Sequence, residues 1–121
     1  EKQMVTLYAV TNSLSANEEM LEESGIRSES WFNGEATVVP QRIGMSGSAA
    51  EGDFTADLYA GSKFLGRFDN TQEGAGESIH SDHDMFDIMD AVAVKLKDLK
   101  LIAQATPTTN EVIFKIECIG G

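Results

Sequence analysis

Residues 53–68 read DFTADLYAGSKFLGRF, and this stretch restricts the fold more than any other. Phe54, Ala56, Leu58 and Ala60 fall on one face at period two, and Thr55, Asp57 and Tyr59 on the other. Gly61-Ser62 interrupts the pattern. Phe64, Gly66 and Phe68 then resume it, opposed by Leu65 and Arg67. A two-residue loop led by glycine suits a type II′ turn, whose first central residue needs a positive φ. The stretch predicts a β-hairpin with an aromatic inner face, with Phe64 and Phe68 directed inward and Leu65 outward. A lone hairpin is marginal in water, so further strands must cover that face.

The flanking sequence supplies them. MVTLYAV at residues 4–10 is rich in β-formers and predicts a first strand. Ser15 and Glu18 have capping-box spacing, and Gly25 stands where a helix C′ glycine belongs. A short surface helix over residues 16–24 follows, with Met20 and Leu21 as its sizeable apolar groups. Val38 and Val39 predict a strand in which Pro40 marks an edge or a bulge, because proline cannot donate a ladder hydrogen bond. Residues 46–52 (SGSAAEG) and 69–77 (DNTQEGAGE) read as loops.

Residues 84–97 carry two periods at once. Met85, Met89, Val92, Leu96 and Leu99 match a helical stripe, whereas Val92, Val94 and Leu96 alternate as a strand. The expectation is a turn or short helix near residues 84–89, then a strand ending at Asp98. Leu99, Leu101, Ala103 and Ala105 alternate, TPTTN supplies turn chemistry, and Val112, Phe114, Ile116 and Cys118 alternate in a closing strand. Roughly seven to eight strands at this spacing predict one all-β antiparallel domain over residues 1–121, a sandwich or barrel with one short helix after the first strand.

Charge narrows the partners. Nine basic against twenty acidic residues give a net charge of −11. Nucleic acid and anionic membrane surfaces need a positive patch, so neither is expected. No apolar run reaches the roughly 20 residues of a membrane helix, so no membrane insertion is expected. Cys118 is the one cysteine, which excludes an internal disulfide and suits a small buried hydrophobe.

Two groups of residues carry candidate chemistry. His80, Asp82, His83 and Asp84 could ligate a divalent metal, with Asp87 following. The two histidines converge only on a helical turn, and a solvated acidic loop is the simpler reading. Trp31, Phe32 and Tyr59 could form an aromatic platform for a glycan. The simpler reading of Trp31 and Phe32 is that both plug the end of a β core. Ser46 and Ser48 miss the nucleophile-elbow spacing, since glycine comes one position too early. No catalytic residue and no cofactor is assigned.

Leu65, Ile102, Ile113 and Ile119 fall on the outward side of their strands, which marks them as interface candidates. The segments DLYAGSKFLGRFDN and LKLIAQATPTTNEVIFKIECI resemble strand pairs of small jelly-roll β-sandwich virion proteins of bacterial viruses. The resemblance covers about half the chain. It implies a jelly-roll-like sandwich and a non-enzymatic capsid, spike or decoration role in a virion. It also implies partnership with copies of itself and other structural proteins. A ligand-binding sandwich that takes a glycan, and a metal-dependent enzyme that takes a divalent cation, are the alternatives.

Overall fold

A computed structural model of the chain describes residues 4–48, 52–70, 85–89, 92–108 and 111–120. Its strands are β1 (Met4–Thr11), β2 (Thr37–Gly47), β3 (Thr55–Ala60), β4 (Lys63–Asp69), β5 (Phe86–Asp87), β6 (Val94–Lys95), β7 (Leu99–Ala103) and β8 (Val112–Gly120). One helical turn, α1 (Met20–Glu23), follows β1. Every pairing is antiparallel. One sheet runs β1-β8-β2, with β5 and β6 both on the far side of β2, and the other runs β4-β3-β7.

The pairings are nested. β3 pairs β4 at the centre of the chain. β2 pairs β5 and β6 outside them. Residues 17–19 meet β7 next, through the bridge Glu19↔Ile102. β1 pairs β8 outermost, from Met4↔Ile119 to Thr11↔Val112. A chain folded back on itself in this way and wrapped into two sheets is a jelly roll. The segment 17–19 stands where an eighth full strand would lie, and β5 and β6 share one position.

Alternation decides which side chains meet between the sheets. Leu7, Val38, Ile43, Met45, Phe114, Ile116 and Cys118 come from the first sheet. Phe54, Ala56, Leu58, Leu99, Leu101 and Ala103 come from the second. Burial pushes the Cys118 thiol up to about 12, as expected of a cysteine used as a small hydrophobe.

The central hairpin forms with the two-residue loop Gly61-Ser62, closed by the pair Ala60↔Lys63, and Gly61 has φ +62°. Its inner face differs from the expectation. Leu58 pairs Gly66 but Tyr59 pairs Phe64, so Leu65 is an extra residue in a β-bulge. A bulge shifts the two-residue period by one. Leu65 therefore turns into the core, 5% exposed, and is no interface residue. Phe64 is displaced to the outer face, where its ring centroid lies 5.5 Å from that of Tyr59. Gly66 carries φ +151°, and a Cβ there would come within 2.7 Å of the Phe68 ring. Phe68 does turn inward and meets Phe86 of β5 at 6.0 Å, across the open side of the sandwich.

Other expectations change as well. The helix is one turn long and starts at Met20, because Asn17 at φ +73° breaks the backbone before it. Half the predicted box survives: the Ser15 amide donates to Glu18 Oε1 at 2.6 Å. Gly25 follows α1 at φ +88°, as expected of C′. The turn does not lie loosely on the surface, since Met20 and Leu21 are fully buried in the core. Pro40 sits in the interior of its sheet beside a register shift between Pro40 and Arg42, so the bulge alternative holds. Residues 86–87 are strand rather than helix. Of the helical stripe, Leu96 and Leu99 are buried while Met89 and Val92 are exposed.

Candidate interaction surfaces

Each sheet shows its second face outward. On the β1-β8-β2 face the registers align side chains in rows: Met4–Ile119–Val39, Thr6–Glu117–Arg42, Tyr8–Lys115–Gly44 and Val10–Ile113–Ser46. Glu117 lies 3.2 Å from Arg42 and 3.6 Å from Lys115, so the one carboxylate in these rows is matched by cations. Met4, Tyr8 and Val10 are large exposed apolar groups, with Tyr8 at 50%. Ile113 and Ile119 are half-buried beside them, on the outward side as the sequence predicts.

On the β4-β3-β7 face, the rows are Phe64–Tyr59–Lys100 and Arg67–Asp57–Ile102. Arg67 holds Asp57 with two bonds, Nε to Oδ1 at 2.7 Å and Nη2 to Oδ2 at 3.0 Å. Asp57 in turn raises the Arg67 pKa, chiefly through that hydrogen bonding. Two open depressions meet here. One of about 340 Å³ is lined by Tyr59, Gly61, Ser62, Lys100 and Ile102. The other, of about 410 Å³, is lined by Glu19, Glu22, Arg27, Lys100 and Ile102. Shared Lys100 and Ile102 make them one shallow trough, so Ile102 is a surface residue as expected.

The predicted aromatic platform is not assembled. Phe32 is fully buried in the core, which removes it as a ligand residue. Trp31 is half-exposed, and its ring partner is Phe32 at 6.1 Å, whereas Tyr59 partners Phe64. Phe32 is instead covered by the Arg27 guanidinium, 5.1 Å above its ring.

The sheet edges are treated unequally. The outer edge of β7 is filled by the chain itself. Asn17 N donates to Ala103 O at 2.8 Å and Ala103 N to Glu18 O at 2.9 Å. Leu101 N donates to Glu19 Oε2 at 3.1 Å. Arg27 Nη2 donates to Leu99 O at 2.6 Å and Nη1 to Lys97 O at 3.1 Å. Arg27 and Glu19 are themselves paired at 2.5 Å, which locks the cover in place. β4 carries Lys63, Arg67 and Asp69 along with its bulge. β5 and β6 are two residues each. Shortness, charge, bulges and covering segments all stop stray strand pairing. Among the described residues nothing covers β1 in this way, and MVTLYAVT is eight residues long, contains no charge and no proline, and pairs β8 without a register shift.

Sequence reasoning missed the Glu19–Arg27 clamp, because nothing distinguishes Glu19 from Glu18, Glu22 and Glu23. It also missed a polar knot at the end of β2. Ser48, at φ +62°, is hydrogen-bonded to Asp53 and accepts from Thr108 N at 2.9 Å. Thr108 Oγ1 donates to Asp53 at 2.6 Å. Nearby, Asn70 accepts from Phe54 N and donates to Gly47 O, each at 2.8 Å. These bonds tie the end of β2, the start of β3, the end of β4 and the connection between β7 and β8 together, and they leave Ser48 buried rather than presented to a substrate.

His80, Asp82, His83 and Asp84 lie outside the described residues. Among the described residues, no group of three or more His, Cys, Asp or Glu side chains is placed to hold a metal ion. Among them too, no helix is long and apolar enough to cross a membrane. Comparison with protein-family models, curated proteins and solved structures finds no match to this chain.

Proposed function

We propose that this chain is a non-enzymatic structural protein of a repeated assembly, of the capsid, spike or decoration kind found in virions. It works through contacts with copies of itself and with neighbouring structural proteins. The observation that carries this reading is the outer face of β1 and β8, with Met4, Tyr8 and Val10 exposed beside Ile113 and Ile119. A chain of net charge −11 repels its copies, so self-contact needs a surface poor in unmatched carboxylates. Across β1, β8 and β2 this face has one carboxylate, Glu117, and it is paired, while the exposed Asp87 of β5 lies opposite Arg42 on the far side of β2. The nested winding of the two sheets agrees with the reading, since jelly rolls are common among capsid proteins, although they also serve lectins and enzymes.

Sedimentation velocity across a range of protein concentrations tests it. The expected result is a defined oligomer that strengthens with salt, from ~20 mM to ~0.5 M, as repulsion is screened over a shorter Debye length. It should be indifferent to a chelator. A monomer under all these conditions would overturn the reading. A second reading, a glycan-binding module, is favoured by the trough where the Tyr59 ring and Ile102 form an apolar patch beside Lys100 and Glu22. It predicts that a neutral oligosaccharide binds and that Tyr59→Ala abolishes binding.

A further inference from the structure

We infer that the exposed edge of β1 pairs with β1 of a second copy, antiparallel about a two-fold axis, joining two sandwiches through one continuous sheet. This rests on the assembly reading above and adds the mode of contact. Three of the four sheet edges carry a device against strand pairing: a covering segment on β7, charges and a bulge on β4, and two-residue strands at β5 and β6. β1 is eight residues long, regular and uncharged, and among the described residues no strand pairs it on the side away from β8. A sheet that left such an edge open by default would be prone to indiscriminate pairing. The contrast within one molecule points to an edge kept for a partner.

The partner is a second copy because the strand is complementary to itself. Directly opposed residues of an antiparallel pair share a face. Even-numbered residues of β1 face outward, so outward residues stay outward only when paired residue numbers sum to an even value. Two such registers pair most of the strand. Centred on Leu7, Thr6 faces Tyr8 and Met4 faces Val10. Centred on Tyr8, Tyr8 faces itself and Thr6 faces Val10. Neither sets one charge against another, because the strand carries none.

Cysteine cross-linking of the full chain tests the register. Thr6 and Tyr8 are exposed, so their replacement leaves the core intact. Cys118 is fully buried and does not compete for oxidation. Opposed strand residues lie within the ~4.4–6.8 Å Cα separation that a disulfide spans. Under mild oxidation, a covalent dimer is expected either from the double variant Thr6→Cys/Tyr8→Cys, for the Leu7-centred register, or from Tyr8→Cys alone, for the Tyr8-centred one. Thr6→Lys, with an unchanged melting curve, should weaken association by ~10-fold or more. Persistent oligomers that neither cross-link nor respond to Thr6→Lys would overturn edge pairing and leave the assembly reading standing. A monomer that does not cross-link would overturn both.

Discussion

Phe32 and Trp31 are neighbours in sequence with opposite roles. Phe32 is fully buried under the Arg27 guanidinium, while half of Trp31 faces solvent. Truncating a buried aromatic removes its transfer free energy and leaves a cavity, so Phe32→Ala should lower stability by about 3–5 kcal/mol. Trp31→Ala should stay within about 1 kcal/mol, since it opens no core cavity. Urea unfolding of the two variants checks this; equal losses would contradict the placement. Composition could not separate the pair, because two adjacent aromatics in a turn carry no period to tell inside from outside. The same limit hid Glu19, whose role depends on where β7 comes to lie.

Single elements are held by local chemistry as much as by burial. Glu35, just before β2, accepts from Lys95 Nζ at 2.7 Å and Lys97 Nζ at 2.9 Å. The hydrogen bond from Lys95 leads the causes that hold its carboxyl down to about 2, against an ordinary value of 4.5. A carboxyl lowered on folding stabilises fully above its ordinary value, and that contribution fades as pH falls through the lowered one. All three groups are exposed, so the effect is small and salt-sensitive. In low salt, Glu35→Gln should flatten part of the fall in melting temperature between pH 4.5 and about 2. An unchanged acid profile would show the clamp to be idle. At this scale the strands were legible wherever alternation ran unbroken, as in β3, β7 and β8. The β4 bulge was not, because a period counted along one strand assumes a one-to-one partner. Residues 84–97 were not, because two-residue strands have no period to read. The cover over β7 was hidden because residues 17–19 look like the approach to a helix.

At the scale of the whole molecule, the nested pairings bring the ends of the described chain together in β1 and β8, side by side across one sheet. That places an eight-residue strand with no charged residue at an edge rather than in the interior. The sandwich class followed from counting strands and turns, but the winding order did not, because it is set by long-range pairing. Three of the four predicted interface residues, Ile102, Ile113 and Ile119, remain on outward faces, and only Leu65 was drawn inside by the bulge. The two outward faces then differ in kind: one joins an uncharged edge to the apolar Met4, Tyr8 and Val10 beside a paired Glu117, the other is a trough rimmed by charge. Amide hydrogen exchange at low and high protein concentration tests the central claim most directly, because it reads the β1 edge amides themselves. Alternate amides of Met4–Thr11 should gain protection as concentration rises, while those of β7, already covered by residues 17–19, should not change. Exchange in β1 that is fast and independent of concentration would contradict the account.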